Sequence, residues 1–142
     1  MSNQIAKVSW AGDRRFLGTT ATGFDIAMDG GSSDDGSRQA AGPMELILQG
    51  LAGCSSVDVV TILEKKRLAL NSCVVEIQAE RANTNPAVFT AINLHFVITG
   101  QGISEKAVAR AVSLSVDKYC SVAKMLNQGG VTISHSFNIV NE

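Results

Sequence analysis

The chain has no closely spaced pair of cysteines or histidines, which removes the usual framework of a structural zinc site. Its two histidines, His95 and His135, do not neighbour a cysteine in sequence. Its three cysteines, Cys54, Cys73 and Cys120, are an odd number and cannot all pair within one chain. There is no basic excess: 12 Lys and Arg stand against 13 Asp and Glu, for a net charge of -1. A dedicated nucleic-acid binder needs a basic surface to neutralise phosphates, so no nucleic-acid partner is expected. The glycines form no phosphate-binding loop; Gly18, Gly23 and Gly30 fall between short extended runs as turn residues. No basic segment followed by an apolar run opens the chain, so no secretory signal is expected. No apolar run is read as approaching the ~20 residues that span a bilayer. The expectation is a cytoplasmic protein with no membrane partner. In a reducing compartment the thiols are free by default, and a disulfide would be catalytic or redox-sensing.

What is present fits one domain over residues 1–142, 45% hydrophobic and 18% charged. Ile5–Trp10, Phe16–Thr20 and Phe24–Asp29 alternate apolar and polar residues around short turns, which predicts a three-stranded antiparallel meander. Gly30 to Gly42 has too little apolar surface to pack and reads as a flexible surface loop. Pro43 suits the first position of a long helix whose basic end is Glu64-Lys65-Lys66-Arg67. Its apolar residues recur at steps of three and four but spread so widely that it must be buried on most sides. Two more strands follow, Leu70–Arg81 and Phe89–Thr99, expected as a hairpin. Ser104 is placed to N-cap a helix reaching Tyr119, with a further short helix from Ser121. Val131–Val140 closes the chain as a strand. The order is β-β-β-α-β-β-α-β, an α+β fold without repeats.

Cys54 lies in Leu51-Ala52-Gly53-Cys54-Ser55-Ser56, and Cys120 in Lys118-Tyr119-Cys120-Ser121-Val122. Both are followed by a serine. Gly50 and Gly53 each cost the helix roughly 1 kcal/mol relative to alanine, which a sequence tolerates where something approaches the backbone. A thiol is nucleophilic only as thiolate, so Cys54 would need a cation or donors nearby; Arg14, Arg15 and Lys118 are candidates. Cys73 alternates with Val75 and Ile77 and reads as structural. Asp58 follows Cys54 by one helical turn and faces the same way. The plain alternative is that all three thiols only pack.

The run Pro43-Met44-Glu45-Leu46, the later Gly53-Cys54-Ser55 and the Tyr119-Cys120-Ser121 segment together resemble the OsmC/Ohr family, in particular its YhfA-like branch. The resemblance covers nearly the whole chain. It implies an intertwined α+β homodimer with two central helices packed on antiparallel sheets. It also implies a peroxidase of the oxidative stress response that reduces organic hydroperoxides and has no bound cofactor. Cys54 would then be the peroxidatic thiol, Cys120 the resolving one, and an external dithiol the reductant. Arg14, Arg15 and Glu45 would be its activating or orienting groups. Met44 departs from the family pattern, which has a glutamate there that helps hold an arginine. A second reading is a non-enzymatic dimer that binds a small ligand or senses oxidants through the same cysteine pocket.

Overall fold

The computed structural model describes Asn3 and residues 5–142. The element order is β1 (Ala6–Trp10), β2 (Arg15–Thr20), β3 (Asp25–Asp29), α1 (Pro43–Lys65), β4 (Ala69–Arg81), β5 (Phe89–Gln101), α2 (Glu105–Leu114), a π-helical turn (Ser115–Tyr119), α3 (Ser121–Gln128) and β6 (Thr132–Asn141). These elements form two compact units, Met1–Leu48 and Gln49–Glu142.

In the first unit, β1, β2 and β3 pair in sequence order as the expected antiparallel meander. The register sets Val8, Trp10, Phe16, Ile26 and Met28 on one face. Trp10 remains 68% exposed and Val8 59%. The loop after β3 is more ordered than its composition suggests. Asp29 is buried, and its carboxylate accepts the Gly31 N–H at 2.8 Å and the Gln39 N–H at 2.9 Å. One carboxylate therefore staples both ends of the loop, and within it the Ser32 N–H reaches the Ser37 carbonyl at 2.8 Å.

In the second unit, β4 and β5 form the expected antiparallel hairpin. β6 departs from expectation: it joins β5 in parallel, so this sheet is mixed. The connection explains the direction, because α2, the π turn and α3 form a crossover from Gln101 to Thr132 of the kind a parallel pair requires. Alternation along β5 buries Ile92, Leu94, Phe96 and Ile98, and the register sets Ile133, Phe137 and Ile139 of β6 beside them. Each fully buried side chain of this kind contributes about 1.5–3 kcal/mol. α2 and α3 lie against β6. Ser104 caps α2 as expected, its hydroxyl accepting the Ala107 N–H at 3.2 Å.

α1 begins in the first unit and lies mostly in the second. It corrects two expectations. Its 23 residues, with mean hydropathy 1.7 over the most apolar stretch, are long and apolar enough to cross a membrane. It is also buried on fewer sides than expected. The buried positions are Leu51, Ala52, Ser55, Val59 and Leu63, whereas Val57 is 66% exposed. A Cβ added at Gly50 or Gly53 would meet nothing within 4 Å. Among the described residues, that face of α1 is open at both glycines.

Candidate active site

The site grows from the buried stripe of α1. Leu51, Ser55, Val59 and Leu63 recur every four residues and are all 0% exposed. A serine in such a stripe needs partners, because an unpaired buried hydroxyl is costly. Ser55 Oγ donates back to the Leu51 carbonyl at 2.8 Å. Cys54, one residue before it, is half-buried.

The second wall comes from the crossover. α2 gives way at Ser115 to the π turn, which closes when the Cys120 N–H donates to the Ser115 carbonyl at 2.7 Å. Such insertions are frequent at functional positions because they shift the following residue off the regular helical path. Cys120 then adopts an extended backbone (φ -71, ψ 112) and becomes the N-cap of α3, its sulfur accepting the Ala123 N–H at 3.4 Å. It is 1% exposed. The buried Ser115 hydroxyl crosses to α1 and donates to the Ser55 carbonyl at 2.7 Å, with an Asp58 carboxylate oxygen at 3.5 Å.

These two walls bring the two sequence-nominated cysteines together. Cys120 Sγ lies 3.4 Å from Ser55 Oγ, and the Cys54 thiol is near enough to act on its ionisation. All three cysteines are free thiols. Burial pushes the Cys120 thiol up from its ordinary value; the Ser55 hydroxyl and the Ala123 N–H pull it back down, and the Cys54 thiol adds a smaller upward push. Cys73 sits apart on β4 with Ser56 as its polar neighbour, and burial raises its thiol as well. The arrangement suits thiol–disulfide chemistry: one half-buried sulfur beside one buried sulfur that has the Ala123 N–H as a donor and the Ser55 hydroxyl within reach.

The remaining candidates have other partners. Lys118 lies 5.4 Å from the centre of the Tyr119 ring. His135 Nε2 meets Asp117 of the π turn at 3.2 Å. His95, on the opposite sheet face, contacts Ser136 at 2.8 Å and Asn138 at 2.7 Å. Among the described residues, no group of three or more His, Cys, Asp or Glu is placed to hold a metal ion.

Arg14, Arg15 and Glu45 belong to the first unit. Glu45 Oε1 accepts the Gly42 N–H at 2.8 Å, capping the start of α1, and pairs with Arg38 at 3.0 Å. Arg38 went unnoticed in the sequence, where it is the single arginine of a polar loop. Arg15 instead donates to Gln39 at 2.9 Å. Arg14 lines an apolar cleft of about 470 Å³ with Val8, Phe16, Met28, Gly30 and Pro43. Sequence reading also missed Ser55 and Ser115. The signal available for Ser55 was its place in the four-residue apolar stripe.

A two-thiol α+β protein is thus the class that fold and site define. The family model of OsmC-like proteins matches residues 34–136, and the chain belongs to that family. It is 47% identical to Protein YhfA of Escherichia coli K12 over 135 residues, which cover 95% of this chain and 97% of that protein. A hypothetical protein from Aquifex aeolicus superposes with a TM-score of 0.85 at 28% identity, covering 100% of this chain and 99% of that one. The organic hydroperoxide resistance protein OsmC of Legionella pneumophila shares the fold, with a TM-score of 0.70 at 19% identity over 97% of this chain and 98% of that one.

Proposed function

We propose that this protein is a thiol-dependent peroxidase for organic hydroperoxides, with Cys54 peroxidatic and Cys120 resolving. The observation that carries the reading is the meeting of these two thiols, one half-buried and one buried, in a single unit. The Cys54 thiolate attacks the terminal peroxide oxygen; the O–O bond breaks, an alcohol leaves and Cys54 becomes a sulfenic acid. Cys120 then attacks the Cys54 sulfur, the S–O bond breaks, and water leaves as the disulfide forms. An external dithiol returns both thiols and leaves as its own disulfide. No bound cofactor takes part. The family relationship and the hydroperoxide resistance named for the Legionella protein support the substrate class.

The working form in this reading is a cytoplasmic homodimer. The open glycine face of α1 and the exposed apolar face of the β1–β3 sheet support it, because exposed patches of this kind mark association surfaces. The experiment is mass spectrometry after one equivalent of cumene hydroperoxide. A Cys54–Cys120 disulfide is expected; oxidation of Cys73 alone, or of no thiol, would overturn the assignment. Met44, in place of the family's glutamate, favours a second reading: a ligand-binding or oxidant-sensing dimer using the same pocket. Sustained peroxide consumption with a dithiol separates the two, since a binder or sensor shows none.

A further inference from the structure

Ser55 makes a choice that the site's chemistry can use. A serine hydroxyl has one proton to donate, and Ser55 has two acceptors for it: the Leu51 carbonyl at 2.8 Å and Cys120 Sγ at 3.4 Å. While Cys120 is a neutral thiol, the carbonyl is the nearer and stronger acceptor. The Cys120 S–H can then donate to Ser55 Oγ, because its other acceptor, the Leu51 carbonyl, is 4.0 Å away. Once Cys120 ionises, the order reverses. A thiolate only accepts, and hydrogen bonds to a charged acceptor are roughly twice as strong as neutral ones. Leu51 loses little in the exchange, because its carbonyl keeps the helical N–H of residue 55.

We propose that Ser55 is a positioning residue for Cys120, swinging its proton from the Leu51 carbonyl to the sulfur as the thiol ionises. The proposal rests on the reading of Cys120 as the resolving thiol. Both ends of the switch are held by Ser115. Its hydroxyl pins the Ser55 carbonyl at 2.7 Å, and its own carbonyl pins the Cys120 N–H at 2.7 Å. Ser55 is 0% exposed, so water does not compete for its proton. In the resolving step, the Cys120 proton leaves with the hydroxyl of the Cys54 sulfenic acid as water, while the S–S bond forms and the S–O bond breaks. The hydroxyl stabilises the thiolate that carries out the attack. Without it, burial leaves the Ala123 N–H as the remaining donor to that sulfur.

The test has two arms. In Cys54→Ala/Cys73→Ala protein, where Cys120 is the sole thiol, its ionisation is followed by ultraviolet thiolate absorbance against pH. Adding Ser55→Ala is expected to raise the midpoint by about one pH unit. The isosteric pair Ser55→Thr and Ser55→Val isolates the hydroxyl if the alanine variant does not fold, with the valine midpoint expected above the threonine one. Equal midpoints with and without the hydroxyl overturn the proposal. In protein that keeps all three cysteines, disulfide formation after one equivalent of cumene hydroperoxide is expected to slow about tenfold at pH 7 with Ser55→Ala. Sulfenate trapping by dimedone should still reach its full rate. A shifted midpoint with no disulfide in the parent protein sinks the peroxidase reading and keeps the Ser55 switch. A parent disulfide with an unshifted midpoint does the reverse.

Discussion

Replacing both open glycines of α1, Gly50→Ala and Gly53→Ala, gives a result whose sign decides between two pictures. Taken as a single chain, each change should help. Alanine is about 1 kcal/mol better than glycine inside a helix, and the new Cβ atoms meet nothing within 4 Å. The pair should then add about 2 kcal/mol, a rise of roughly 4–8 °C in melting temperature for a chain of this size. If a second copy packs its backbone against this face, the added methyls meet that copy instead. Overpacking a close contact costs about 1–3 kcal/mol per site, which matches or exceeds the helical gain. We expect the second outcome: a melting temperature no higher than the parent's, and a dimer that dissociates at higher protein concentration. Sedimentation velocity over a dilution series, with melting at each concentration, measures both. A rise of the full single-chain size with an unchanged dimer mass would refute the proposal that the glycines admit a partner.

Cys54→Ser is expected to abolish hydroperoxide consumption in a coupled dithiol assay, with less than about 2 °C change in melting because the residue is half-buried. Ser115→Ala removes the hydroxyl that ties the π turn to α1. It should cost about 1 kcal/mol by chemical denaturation, since the Ser55 carbonyl keeps its helical partner; a loss of 3 or more would contradict that account. Ser104→Ala should lower stability by about 1 kcal/mol through the lost cap, measured the same way. The Gln39 and Gly31 N–H groups, with Arg15 and Arg38 facing it, hold the Asp29 carboxyl below its ordinary value of 3.8. As pH falls the unfolded chain takes up this proton first, so the Asp29 contribution is complete at neutral pH and is lost in acid as pH drops through the lowered folded value. Asp29→Asn should therefore destabilise the protein at pH 7 and change little near pH 2, which paired thermal melts check.

Periodicity carried the elements well, because the strands alternate cleanly and the caps are local. Ser104 illustrates this: its hydroxyl and the amide it accepts are three residues apart. The direction of β6 was harder, since alternation says which face a residue takes and nothing about which way the strand runs. The length of the crossover from Gln101 to Thr132 held that information. The π turn was out of reach. Ser115–Tyr119 has an ordinary helical composition, and its partners, the Ser55 carbonyl and His135, are remote in sequence. For the site, two cysteines were legible as residue types, but their surroundings were not. The Ser55 hydroxyl matters through a sulfur 65 positions away. Likewise, Glu45 was legible as an acid, while its pairing with Arg38 depends on the path of a loop whose order comes from the buried Asp29.

The cap of α3 ties covalent state to local order. This helix has eight residues, Ser121–Gln128, and its first turn is completed by a thiol sulfur rather than by the usual side-chain oxygen. Short helices depend on their caps. If the proposed disulfide with Cys54 forms, it would compete with the hold of that sulfur on the Ala123 amide, and the helix start would report oxidation. Amide exchange at Ala123 and Lys124 should quicken in the oxidised protein and slow again on reduction. In that reading, the order of one helical turn would follow the oxidation state of a sulfur in its cap.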